Sequence, residues 1–322
     1  MKDIKFYIGP MSQNIIDSII EYSEENNTKF GFCSTRRQVD YNSGYVGYNT
    51  ENFIQYVKSK TNKVLICRDH GGISQGTVDD NGIDSMYQDA LLNIDIIHID
   101  PWKKYKNYNE GLRETINNIL FVHQENKNTL FEVGTEEALR RFETEEFYKF
   151  LFDLKSELGE IFNTHIKYAV IQAGTKLLGI KNIGKFNLQR LKEMIFVCKD
   201  YNILSKEHNG DYLSDEEIEI RFDLGLNALN IAPEFGVFET KLLMDNIKDP
   251  NDIEKIYNIC FNGNRWIKWV DGQIDPIKDK INLIEICGHY HNKQIKELAK
   301  IEDNEIKNQL KNKIHHLYNI AK

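Results

Sequence analysis

The side chains best suited to chemistry in this chain cluster where its short apolar runs end. Asp69 and His70 close KVLICRDH, Glu207 and His208 close ILSKEH, and Asp100, Glu132, Gln172 and Asn230 end or follow runs of the same kind, with Glu234 at the end of the last one. Neutral imidazole nitrogens and carboxylate oxygens together suit a divalent metal, zinc first, with manganese or cobalt as alternatives. A ring of such groups around one cavity would repel itself unless a cation or a charged substrate balanced it. The groups sit on different runs, so local spacing does not assign ligands. A metal held there would keep an open position for substrate oxygens and polarise a carbonyl. Asp100 is favoured over His98, which the apolar Ile99 between them is expected to turn sideways. His123, His165, His315 and His316 read as surface residues, and His289 and His291, in CGHYHN, as structural ones.

A second chemical feature is the polar, aromatic loop STRRQVDYNSGYVGY (34–48), which presents Arg36, Arg37 and Gln38. Guanidinium binds phosphate or carboxylate oxygens bidentately, so an anionic substrate group is one reading. Pairing of one arginine with a site carboxylate is the other. The loop glycines would let it close over a substrate and exclude water.

These groups need a scaffold that brings run ends together. Eight β-rich runs stand at 5–9, 29–34, 63–69, 96–100, 129–134, 167–174, 203–208 and 228–234. Between them apolar residues fall at helical spacing: Ile15, Ile16, Ile19 and Ile20; Phe53, Ile54 and Val57; Leu112, Ile116, Ile119 and Leu120; Phe147, Phe150, Leu151 and Leu154; Leu188, Leu191, Ile195 and Phe196. Strand and helix in alternation predict parallel pairing through crossovers, and eight such units predict an α/β fold, a closed (β/α)8 TIM barrel. In that barrel the C-terminal strand ends form the active site. An open doubly wound sheet is the lesser alternative, because no glycine-rich dinucleotide fingerprint follows the first run. Ser12, after Gly9-Pro10-Met11, reads as a helix N-cap. The break DPND at 249–252 divides a barrel over 1–249 from a helical C-terminal extension over 250–322, packed on the barrel and containing NRWIKWVDG (264–272).

Composition narrows the classes. The 322 residues carry 41 Lys and Arg against 49 Asp and Glu, a formal charge of −8, with 41% hydrophobic content. That is too apolar for a disordered chain, and no run nears the roughly 18 apolar residues of a membrane span. Basic residues scattered among acids argue against a nucleic-acid partner. The start MKDIKFYIGPM lacks a signal-peptide pattern, so a cytoplasmic location is expected. Five widely spaced cysteines, an odd number, suit reduced thiols packed as small hydrophobes.

Segments spanning most of the chain resemble the GatZ/KbaZ family, the so-called non-catalytic subunit of class II tagatose-1,6-bisphosphate aldolase. These are STRRQVDYNSGYVGYNTENF (34–53), ICRDHGG (66–72), IHIDPW (97–102), EVGTEE (132–137), VIQAG (170–174), EHNGDY (207–212), LNIAPEFG (229–236) and NRWIKWV (264–270). Class II fructose-bisphosphate aldolases and barrel sugar-acid epimerases are similar at greater distance. The resemblance implies a barrel with a divalent-metal site, in which Asp69 moves a proton and His70 and His208 bind metal. It also implies that Glu132 is the strand-five acid and that Asn230 contacts substrate.

Three departures stand out. Gln172 replaces a metal histidine of the classical aldolases, so the expected set is His70, His208 and Glu132, with Gln172 as a fourth ligand. Arg36 and Arg37 replace small polar residues, which suggests a more anionic substrate. Glu234 replaces a Gly-Pro form of its strand. The expected function is a metal-dependent lyase or epimerase acting on a keto sugar or sugar phosphate, with Asp69, Glu132 and Glu234 as acid/base groups. Arg36, Arg37, Gln38, Asp100, Gln172 and Asn230 are expected on the substrate. The alternative is a non-catalytic subunit that stabilises a separate class II aldolase. Self-association through the helical ring is a further expectation.

Overall fold

The eight runs form eight parallel strands in the computed structural model, which describes residues 4–270 and 279–321. They are β1 (Phe6–Ile8), β2 (Phe30–Thr35), β3 (Val64–Gly71), β4 (Ile96–Ile99), β5 (Leu130–Val133), β6 (Ile166–Ile171), β7 (Leu204–Glu207) and β8 (Ala228–Ile231). They close into a barrel in the order β1-β8-β7-β6-β5-β4-β3-β2, with Phe6 opposite Leu229 where the ends meet. The fold is the expected (β/α)8 barrel.

Strand side chains alternate in and out, so each strand feeds two cores. Inward residues Tyr7, Cys33, Cys67, Ile96, Tyr168 and Ala228 fill the barrel, while outward ones such as Phe6, Phe32, Ile97 and Phe131 pack under the helices. The helices that follow the strands are α1 (Gln13–Asn26), α2 (Thr50–Lys60), α3 (Ile83–Leu91), α4 (Tyr108–Glu125), α5 (Thr144–Leu158), α6 (Glu160–His165), α7 (Leu188–Asp200), α8 (Asp215–Asp223) and α9 (Pro233–Asp245). Ser12 caps α1 by accepting from the Ile15 amide at 3.2 Å. On α7 the buried stripe is Leu191, Met194, Ile195 and Cys198, at i, i+3, i+4 and i+7. Leu188 and Phe196 fall outside that stripe and are exposed, as is Leu120 on α4, contrary to the expected inward faces.

Beyond the barrel come α10 (Pro250–Asn262), α11 (Lys280–Cys287), α12 (Asn292–Ala299) and α13 (Asp303–Ile320). Asp249 caps α10 by accepting from the Asn251 amide at 2.9 Å. The α13 stripe Ile306, Leu310, Ile314 and Leu317 is buried, and this helix runs against α1. Tyr22 on α1 shares a 2.9 Å hydrogen bond with His315, and Lys307 pairs with Glu21 at 2.5 Å. Asp271 and Gly272 of the tryptophan segment, and the first three residues, lie outside the described residues. All five cysteines are buried and free. No helix among the described residues is long and apolar enough to cross a membrane.

Candidate metal and substrate site

Asp69 and His70 are sequence neighbours, and a regular strand would point them to opposite faces. Two features of β3 override that alternation. Its register against β4 shifts between Arg68 and Gly71, and His70 adopts a left-handed backbone, φ 49°. Such a conformation costs a non-glycine residue about 1–3 kcal/mol, an amount that tertiary structure must offset. The glycines that follow make the turn possible. A side chain at Gly71 would meet the His98 carbonyl at 2.9 Å, and Gly72 has φ 123°. Both Asp69 and His70 therefore reach the barrel mouth.

Three imidazoles converge there: the ring centres of His70, His98 and His208 lie 4.9–5.3 Å apart. Each has one nitrogen held from behind by an oxygen. His70 Nδ1 lies 2.6 Å from Asp100, His98 Nε2 3.0 Å from the Gly134 carbonyl, and His208 Nε2 2.6 Å from Glu132. These oxygens accept, so those nitrogens carry the protons. The other nitrogens turn inward around Asp69, at 3.8 Å for His70 Nε2, 3.5 Å for His98 Nδ1 and 3.7 Å for His208 Nδ1. His208 Nδ1 is buried with no hydrogen-bond partner among the described residues.

His98 Nδ1 also accepts from the His70 backbone N–H at 3.2 Å, and a cation seated among these nitrogens would satisfy Asp69 and the unpartnered His208 Nδ1 together. Oxygen-backed histidines are also the usual support of a metal site. Asp69, His70, His98 and His208 thus form a group that could hold a metal ion. Electrostatics follow the same pattern. Burial favours a neutral Asp69, but His70, His208 and His98 hold its carboxyl well below the usual range. Burial likewise opposes a charged His70, yet Asp69, Asp100 and Glu136 outweigh it and push the imidazole up to about 10.

Below this cluster the barrel interior is polar. Lys206 and Glu132, both fully buried, pair at 2.6 Å, and the lysine lies over the Tyr7 ring at 3.8 Å. Glu132 is therefore engaged on both oxygens, by Lys206 and by His208.

Several expected site residues take other positions. His98, expected sideways, lies in the cluster: residues i and i+2 of a strand share a face, and Ile96 before it points into the barrel. Glu132 stands behind His208 and outside the group of inward ligand atoms. Gln172 braces the 135–142 loop, accepting from the Phe142 amide at 2.8 Å and donating to the Thr135 and Arg140 carbonyls at 2.8 and 2.7 Å. Asp100 backs His70 and caps the turn that begins at Pro101. Arg36 is buried on Asp40 at 2.9 Å and Asp80 at 2.7 Å, tying two loops together. Glu234 accepts from the Tyr212 amide at 2.6 Å and pairs with Lys313 of α13. Glu207 faces outward onto Arg221 at 2.7 Å. Asn230 reaches Asp69 at 3.5 Å.

A cavity of about 370 Å³ opens over the cluster, lined by Asp69, His70, Arg37 and Gln38 together with Gln75, Lys103, Glu136, Asn209, Lys268 and His289. Glu136 and the three lysine or histidine residues among these were not expected. They lie on loops and in the extension, where strand-end reasoning does not reach. Glu136 sits three residues past the end of β5, accepts from the Asn209 side-chain Nδ2 at 2.6 Å and lies 3.8 Å from His70 Nε2.

One consequence can be checked on His70. Replacing Asp100 by asparagine removes the carboxylate behind that ring while keeping an oxygen for the Trp102 amide. Divalent-ion affinity is expected to fall about 10–100-fold, with an unchanged circular-dichroism spectrum. Competition titration against a coloured chelator measures it, and an unchanged affinity would remove Asp100 from this role.

No protein-family model and no curated protein matches the chain. Solved structures do match it. A probable tagatose 6 phosphate kinase from Sinorhizobium meliloti 1021 aligns with TM-score 0.69 and 14% identity, over 96% of this chain and 86% of that one. The native fructuronate-tagaturonate epimerase UxaE from Cohnella laeviribosi aligns with TM-score 0.67 and 10% identity, over 99% and 81%. Fructose-bisphosphate aldolase from Campylobacter jejuni aligns with TM-score 0.58 and 13% identity, over 98% and 90%. At these identities the likeness is one of fold, and that fold is the barrel of the aldolases and epimerases that the sequence motifs resemble.

Proposed function

We propose that this protein is a metal-dependent enzyme that acts on a keto sugar or sugar phosphate, by aldol cleavage and condensation or by epimerisation. The observation that carries the proposal is the set of three histidines, each backed by an oxygen and each turning its second nitrogen toward Asp69. Its three imidazole nitrogens suit zinc with a position left open for substrate oxygens, and Asp69 stands beside them. Likeness of fold to a named aldolase and a named epimerase supports the reaction class.

When bound, the ion would supply a Lewis acid for a substrate carbonyl and its neighbouring hydroxyl. The chain's own groups do the rest. Asp69 and Glu136 are the carboxylates that line the cavity, and Glu132 and Glu234 do not line it. Asp69, ionised over the working pH range, takes the proton of the reacting hydroxyl or carbon. Glu136, oriented by Asn209, returns a proton. Arg37 faces the same cavity and takes an anionic substrate group.

Incubating the purified protein with ketose phosphates and keto sugar acids, with zinc supplied, tests the reading. Carbon-13 NMR separates release of a three-carbon fragment from inversion at one carbon. Failure to retain a stoichiometric divalent ion, together with no conversion of either kind, would refute it.

The pH dependence has a definite sign. A His70 pushed up to about 10 is protonated at neutral pH in metal-free protein, and its contribution to stability is full below 6.5 and lost as pH rises through about 10. An ion needs that lone pair, so binding must expel the proton. Calorimetry in buffers of different ionisation enthalpy is expected to show about one proton released per ion at neutral pH, with affinity rising toward alkaline pH. Uptake or release of no protons would contradict this.

A further inference from the structure

The cavity wall is built partly from the C-terminal extension, which contributes Lys268, Trp269, His289 and Tyr290. His289 is the most informative of these. It is 2% exposed, and neither ring nitrogen has a hydrogen-bond partner among the described residues. Its neighbours are aromatic, with the Tyr290 ring at 4.1 Å and the Trp269 ring at 6.2 Å. A buried polar side chain without partners is uncommon, and in a cavity wall its free nitrogens are placed to meet a ligand. Burial, then Lys268, holds the imidazole well below its usual range, so it stays neutral and offers one donor and one acceptor.

Basic groups gather in the same cavity. Arg37 from the loop after β2 and Lys103 from the turn after β4 line it with Lys268, whose ammonium is pushed down to about 7 by burial and then by Arg37, so that an anion beside it would hold the charge. Lys268 lies over the Trp269 ring at 4.2 Å and the Tyr290 ring at 5.5 Å, and neither it nor Arg37 has an ion pair among the described residues. The ligand that answers this set carries an oxyanion for the cations and the imidazole N–H, and an adjacent hydroxyl for the second imidazole nitrogen.

We propose that Lys268 and His289, with Arg37 and Lys103, form a recognition subsite for the phosphate or carboxylate end of a hydroxylated substrate, so that the extension supplies one wall of the substrate pocket. This deepens the proposed function and rests on it for the identity of the substrate, though not for the existence of the subsite.

The test titrates inorganic phosphate and, separately, malonate into the full chain by calorimetry, as purified and again after chelation. Saturable binding with a Kd near about 1 mM is expected and should survive chelation. Lys268→Met and His289→Phe are each expected to weaken it about tenfold or more, as loss of a charge-assisted or buried hydrogen bond does. His289→Asn is the second variant, since His289 packs against Gly236 and a larger ring could disturb folding. Preference for phosphate assigns a sugar phosphate, and preference for malonate a sugar acid. Binding that vanishes on chelation and ignores both substitutions, or no saturable binding, overturns the subsite. Chelation separates this outcome from failure of the metal reading, which is tested by ion content and turnover.

Discussion

Replacing His98 by alanine is expected to strip the protein of its divalent ion and, with it, of turnover. His98 is fully buried, its Nε2 proton is held by Gly134, and its Nδ1 faces Asp69 at 3.5 Å. Small zinc sites hold their ion by about 10–16 kcal/mol over four ligands, so one ligand is worth roughly 3 kcal/mol, above a hundredfold in affinity. Dialysis against buffered zinc followed by elemental analysis reads the loss. A His98→Gln variant, closer in volume, controls for the void that alanine leaves. Retention of one tightly held ion in both variants would exclude His98 as a ligand.

The second large effect falls on stability. Lys206→Met leaves Glu132 charged, fully buried and without its counterion in the middle of the barrel. Breaking a buried pair in this way typically costs about 3–5 kcal/mol. Thermal unfolding is expected to move down by about 6 °C or more. The lysine's ammonium lies over the Tyr7 ring, and methionine's thioether end can take its place there, which keeps most of the packing and isolates the charge. The double variant Lys206→Met, Glu132→Leu removes both charges and is expected to recover much of the loss, although His208 then lacks its oxygen support. A single variant as stable as the parent would mean that Glu132 takes up a proton at little cost.

The scaffold was legible because its signal is periodic. Each of the eight expected runs overlaps one strand, and Ser12 caps the first helix as its type and place suggested. The site was legible only in part, and the reasons are geometric. Asp69, His70 and His208 could be read from strand ends, but the His98 expectation misapplied the two-residue repeat. His70 shares a face with Asp69 only through a left-handed residue and a register shift, which no pattern of residue types announces. Gln172, Arg36 and Glu234 are residue types that bind ligands and also brace loops. Which role each takes depends on partners distant in sequence, such as Phe142, Asp80 and Lys313.

The pocket wall formed by Lys268, Trp269, His289 and Tyr290 has a consequence for the order in which the protein becomes competent. The strands, Asp69 and the three clustered histidines are all synthesised by residue 231, while this wall is synthesised later, from residue 268 on. A chain truncated or clipped near residue 250 would keep the histidine cluster and Asp69 yet lose Lys268 and His289, leaving Arg37 and Lys103 as the cations of an open pocket. Substrate capture at this subsite would therefore wait on synthesis of the extension, after the histidine cluster is complete.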